Sequence, residues 1–169
     1  MIEPIITNKN FERLGTIDDY SSLIWTPRYY QCGDFELVLP IDSKYLELIE
    51  RDFYVERDDD ENVGIIEDIQ ISVNEDGKEQ MIITGRFLPS ILDRRIIAVQ
   101  TQINDTVSDG IVKLINENVI NPSIAARKIP NFTIRSTSFT EKLEAQYTGK
   151  DLLETIEGIC KAYSIGFNV

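Results

Sequence analysis

The chain has 169 residues, 42% of them hydrophobic, enough to bury a core in one domain or two small ones. Its net charge of −12 argues against a duplex nucleic-acid binder, because such proteins cluster Lys and Arg to neutralise phosphates. Apolar runs such as Arg95-Ile-Ile-Ala-Val-Gln100 fall far short of the roughly 20 residues that span a bilayer, and no secretory pattern follows Met1, so membrane insertion is not expected either.

The charge is uneven. Between Asp42 and Glu79, 14 acidic residues face only Lys44, Arg51, Arg57 and Lys78, so this stretch carries −10 of the −12. Cys32 and Cys160 are too few for a disulfide framework and form no metal-ligand pair; they read as reduced core thiols. Histidine is absent, which removes Ser-His-Asp and Cys-His catalysis and histidine zinc sites.

Up to about Ile103 the punctuation is that of a β protein. Phe11 to Ile17 is predicted as an opening strand. Asp34 to Leu39 alternates, with Phe35, Leu37 and Leu39 on one face, and stops at Pro40. Ser43 to Arg51 suits a short helix crossing the open end of a curved sheet. Ile69, Ile71 and Val73 alternate with polar residues before the turn Asn74-Glu-Asp-Gly77, and a return strand turns Met81, Ile83 and Phe87 to the core, with Gly85 where a bulge fits. Many short strands with a crossing helix favour closure into a small barrel, since closure removes edges. Leu88 to Arg95 reads as a helical turn.

After Asn104 the period becomes helical. Val107, Ile111, Leu114 and Ile115 form one stripe, started by the capping pattern Thr106-x-x-Asp109. A second helix is expected to begin in the same way at Thr148-x-x-Asp151 and to turn Leu152, Ile156, Ile159 and Cys160 inward. The shared pattern hints at duplication, but two amphipathic helices obeying one capping rule account for it. Phe132 to Ser136 and part of Ser138 to Tyr147 look like strands. Tyr163 to Val169 reads as a strand beginning, either to join the existing sheet or because the sequence is the N-terminal piece of a longer protein.

The cluster Asp58-Asp-Asp-Glu61 lacks the alternate spacing of a calcium loop and reads as a solvated turn. Gly64 and Gly85 are isolated, so no phosphate loop is present, and no cofactor is expected. For glycoside hydrolysis by paired carboxylates, Glu67, Asp68 and the 58–61 run are the only candidates. Arg28, Arg86, Arg94 and Arg95 lie beside aromatic or acidic neighbours and are expected to pair with acids, inside the fold or across a subunit interface.

Four blocks carry a resemblance. The first is Ile24-Trp-Thr-Pro-Arg-Tyr-Tyr-Gln-Cys-Gly-Asp-Phe-Glu-Leu-Val-Leu-Pro40, followed by Arg57-Asp-Asp-Asp-Glu61 with Gly64-Ile-Ile-Glu67. Then come Thr84-Gly-Arg-Phe-Leu88 with Ser90-Ile-Leu-Asp-Arg-Arg-Ile-Ile97, and Asn116 to Pro122 with Ala126-Arg-Lys-Ile-Pro130. Together they resemble a family of siphophage and prophage tail proteins, similar in turn to baseplate hub proteins and the N-terminal part of tail-associated lysins. The resemblance implies a non-enzymatic structural role. It also implies trimeric relatives with barrel domains that form a collar continuing the tail tube.

The combined expectation is an α+β chain, mainly β: a small barrel-like antiparallel domain over 1–103, then an incomplete α+β segment with two amphipathic helices over 104–169. The expected role is a hub or tail-tip module of a phage tail, assembled in the host cytoplasm and resident in the virion tail. Its partners would be other tail proteins and itself, as a homotrimer in full-length form. The alternatives are the anchoring domain of a peptidoglycan-degrading enzyme and an acidic binding domain with no phage connection. Trp25, Arg28, Tyr29, Tyr30, Phe35, Arg86, Arg94 and Arg95 are the expected interaction residues, since aromatic and Arg side chains suit subunit contacts.

Overall fold

A computed structural model describes residues 2–135 and 139–169. The chain divides into two compact units, one of residues 1–89 with 167–169 and one of residues 90–166.

The first unit is built on one antiparallel sheet. Its strands are β1 (Ile5–Thr7), β2 (Arg13–Thr16), β3 (Ser22–Thr26), β4 (Asp34–Pro40), β5 (Tyr54–Arg57), β6 (Asp60–Val73) and β7 (Glu79–Phe87), in the spatial order β2-β1-β5-β6-β7-β4-β3. The expected barrel is corrected by this order. β2 and β3 are the two edges and do not pair, so the sheet stays open. The expected opening strand is corrected too: Phe11 takes a left-handed φ of 60° in the turn ahead of β2, and β1, three buried residues too short to show a period, precedes it.

The central strands follow the alternation closely. In β4 and β7 every second residue is buried, and register sets Leu39 beside Met81, Leu37 beside Ile83 and Phe35 beside Gly85. Across β7, Ile83 meets Ile69 and Met81 meets Ile71, after a bulge between Ile66 and Asp68. Ile71 and Val73 share the face of Met81 and Ile83 by register but are 62% and 63% exposed. The short helix is α1 (Ser43–Leu46), capped by the Asp42 carboxylate, which accepts from the Lys44 N–H. Tyr45 and Ile49 carry this segment into the core.

The second unit pairs β8 (Thr101–Thr106) with β9 (Lys142–Tyr147) along their whole length. The ladder continues past the strands, where Ile97 exchanges bonds of 2.8 Å with Lys150 and Gly149. Helix α2 (Val107–Ile115) starts at the Thr106 cap, as expected, and crosses close over the ladder: a Cβ on Gly110 would stand 2.9 Å from Ile103 and Leu143. A π turn over Asn116–Ile120 extends it. Helix α3 (Leu152–Tyr163) buries Leu152, Leu153, Ile156, Ile159 and Cys160.

Three further expectations are corrected in this unit. The α3 cap is Asp151, which accepts from the Glu154 N–H at 2.9 Å, rather than Thr148. Residues 132–135 form no strand, and Ser136 and Ser138 lie outside the described residues. After α3 the left-handed Ser164 (φ 55°) turns the chain into a segment that does not pair as a strand.

Candidate functional site

The first two sequence blocks and the start of the third meet in the first sheet. Trp25 in β3 stands opposite Phe35 in β4, with ring centroids 5.6 Å apart, and reaches the Phe87 ring at 4.6 Å. These rings lie against backbone that only glycine allows. A Cβ at Gly33 would stand 2.5 Å from Phe87, at Gly64 2.5 Å from Phe35, and at Gly85 1.8 Å from the Ile65 carbonyl oxygen. The Cys32 thiol closes the cluster by donating to the Phe87 carbonyl at 3.4 Å. Phe35 therefore belongs to the core of the first unit and the half-buried Trp25 packs on its edge, where the aromatic pairs add packing beyond simple area burial.

Charged groups frame the cluster. The Arg57 guanidinium lies 5.3 Å from the centre of the Trp25 ring and binds Asp59 through two bonds, Nε to Oδ1 at 2.9 Å and Nη2 to Oδ2 at 2.8 Å. This pairing raises the Arg57 pKa and lowers that of Asp59. Asp60 accepts from the backbone and side chain of Asn62. Asp58 and Asp59 thus form the turn, while Asp60 and Glu61 begin β6, and no group of three potential ligands gathers among the described residues.

Arg28 bridges Asp34 at 2.6 Å and donates to the Cys32 carbonyl at 3.1 Å, closing the β3–β4 loop. On that loop Tyr29 and Tyr30 meet edge to face at 4.9 Å, and Tyr29 is 65% exposed. Arg86 holds Glu67 with bonds of 2.9–3.1 Å across β6 and β7. Arg51 pairs with Asp68. Glu67 and Asp68, both named as candidates for hydrolysis, are thus each held by an arginine of the same sheet region.

Elsewhere in this unit Asp18 accepts from Lys44 Nζ at 2.8 Å and from the Tyr45 hydroxyl, and these bonds hold its carboxyl at about 2. In the second unit burial pushes the Cys160 thiol up to about 11. Cys32 and Cys160 are both buried and free, as the sequence led us to expect.

Arg94 and Arg95 belong to the second unit, apart from the aromatic cluster. Arg95 Nε donates to the Arg127 carbonyl at 2.7 Å and Nη1 to the Arg94 carbonyl at 2.8 Å, while Arg127 donates to the Ile96 carbonyl. Nothing in the sequence links Arg127 to this group; it stands in the turn Ala125–Arg127, between α2 and β9 in the chain. The two units also differ in charge. The first holds 20 acidic and 8 basic residues and carries the whole −12, whereas the second holds 9 of each.

Residues 3–169 match the family described as Siphovirus ReqiPepy6 Gp37-like protein. The chain belongs to this family. The resemblance drawn from the four blocks to siphophage and prophage tail proteins therefore holds. No curated protein matches the sequence. Among solved structures, the prophage tail protein gp18 of Listeria monocytogenes EGD-e shares the fold at a TM-score of 0.61 and 9% identity, over 94% of this chain and 45% of that one. The tail protein of Neisseria meningitidis MC58 does so at 0.56 and 14%, over 98% of this chain and 46% of that one. For the 43 kDa tail protein of prophage MuSo2 from Shewanella oneidensis the values are 0.51 and 14%, over 95% and 47%. The family chain thus spans about half the length of these tail proteins.

Proposed function

We propose that the protein is a structural, non-catalytic component of a phage or prophage tail, a hub or tail-tip module that joins the tail tube to distal tail proteins. Family membership over residues 3–169, together with a fold shared with prophage tail proteins, carries this reading. The local chemistry supports it. The family blocks are spent on packing Trp25, Phe35 and Phe87 over glycines, and the candidate carboxylates Glu67 and Asp68 are held by Arg86 and Arg51. In this reading the full-length protein assembles in the host cytoplasm, forms a homotrimer, contacts other tail proteins and ends in the virion tail.

Light scattering on the full-length product of the reading frame tests the assembly. A trimer is expected, and a strict monomer at high concentration that binds no other tail protein overturns it. The second reading, an anchoring module of a peptidoglycan-degrading enzyme, is favoured by the greater length of the solved tail proteins, which accommodates another domain. Incubation of the chain with purified peptidoglycan separates catalysis from structure. No release is expected; release that disappears in Glu67→Gln or Asp68→Asn places the chemistry in this chain.

A further inference from the structure

The second unit is neutral as a whole, yet positive charge is concentrated at one place. The acceptors that the Arg95 and Arg127 guanidinia find are backbone carbonyls, which leave both charges in place. Among the described residues no carboxylate bridges either of them, in a chain with 29 acidic residues. Burial, then the nearby Arg127 and Arg94, lower the Arg95 pKa, as expected where like charges share a half-buried site. Apolar surface adjoins the arginines. Ile96, whose carbonyl accepts from Arg127, is 53% exposed, and Ile124, which begins the turn leading to Arg127, is 57% exposed.

The first unit presents the complementary surface. The β6–β7 hairpin exposes Ile71 and Val73, and its tip carries Glu75, Asp76 and Glu79 against the single Lys78. Among the described residues no cation bridges these three acids. The tip is held in one shape: the Asn74 side chain accepts from the N–H groups of Asp76 and Lys78 at 3.1 and 2.9 Å, and Gly77 supplies a φ of 74°. The second unit therefore shows exposed Ile96 and Ile124 beside Arg95 and Arg127, and the first shows exposed Ile71 and Val73 beside Glu75, Asp76 and Glu79.

We propose that the β6–β7 hairpin tip of one copy docks on the Arg95–Arg127 patch of a second copy, with Ile71 and Val73 covering Ile96 and Ile124 while Glu75, Asp76 and Glu79 meet the guanidinia. The contact is heterologous, so in a docked pair one copy keeps a free patch and the other a free hairpin, and further copies can close a ring. It rests on the reading of the protein as a self-associating tail module and assigns that association to named surfaces. Charge complementarity of this kind sets register and weakens with salt.

Sedimentation velocity on the whole chain tests the proposal through two charge-reversed variants, Arg95→Glu with Arg127→Glu, and Glu75→Lys with Asp76→Lys and Glu79→Lys. The wild type is expected to associate, less so as salt rises. Each variant alone should associate about tenfold more weakly or worse. An equimolar mixture should recover association, because each reversed surface then faces an opposite charge. Circular dichroism checks that both variants fold. Independently of the reversals, copies carrying Val73→Cys mixed with copies carrying Ile124→Cys should form a disulfide-linked dimer under mild oxidation, since Cys32 and Cys160 are buried and do not compete. A monomeric wild type, association indifferent to both reversals, or a thiol mixture that yields no cross-linked dimer overturns the contact. A monomeric chain that is nonetheless found in purified tails overturns this contact alone and leaves the tail role standing.

Discussion

Gly85→Ala is the sharpest perturbation the first unit offers. A Cβ at this position would sit 1.8 Å from the Ile65 carbonyl oxygen and 2.9 Å from Phe35 Cε1. The first obstacle is backbone in the paired strand β6, so no rotamer change relieves it. Restoring an ordinary separation of 3.4 Å requires β6 and β7 to part by about 1.6 Å. A displacement of that size carries the ladder bonds around Gly64, Ile65 and Ile66 beyond hydrogen-bonding range, at about 1 kcal/mol each, and opens the packing of Phe35. We therefore expect a loss of about 3 kcal/mol or more, at the upper end of overpacking effects. Urea unfolding followed by the emission of Trp25, the only tryptophan, reports on the unit that holds the substitution. Gly158→Ala in α3 is the control. A Cβ there meets nothing within 4 Å, so circular dichroism should show a gain of about 0.5–1 kcal/mol from helix propensity. A Gly85→Ala protein within about 0.5 kcal/mol of wild type would refute the close-approach argument.

The α3 cap gives a second test: Asp151→Ala should cost about 1 kcal/mol in thermal or urea unfolding, whereas Thr148→Ala should cost far less. A third concerns acid. The Asp18 carboxyl is held at about 2, below its unfolded value of 3.8, so its stabilising contribution is complete above pH 4 and is lost as pH falls from there towards 2. Melting temperatures of wild type and Asp18→Asn should therefore converge at pH 2 and separate above pH 4; a constant difference contradicts the assignment.

The strands β4 and β7 were legible because each is central and buries alternate residues, the condition under which a period of two is strongest. The same alternation over Ile69, Ile71 and Val73 named the correct face but not its cover, since alternation reports which side a residue points to and not whether anything lies above it. Barrel closure was inferred from the number of short strands, yet closure depends on whether the two edge strands meet, which a strand count does not report, and β2 and β3 do not pair. The α3 start was displaced because Thr148 and Asp151 are both good caps. Residues 149 and 150 pair with Ile97, so helix geometry cannot begin before Asp151. Of the expected interaction residues, Phe35 is buried in the core and Trp25 packs half-buried against it. Arg28 and Arg86 found carboxylate partners within the fold, at Asp34 and Glu67. The meeting of Arg95 with Arg127 spans 32 residues, a separation that composition and local periodicity do not encode.

The central claim, that this protein is a structural part of a phage tail, is tested most directly by immunogold electron microscopy of purified phage particles with antibody raised against the chain. The account predicts label at the distal end of the tail, where a hub or tip module belongs, in every intact particle. Particles that are complete and unlabelled, while the protein is abundant in the same lysate, would contradict it.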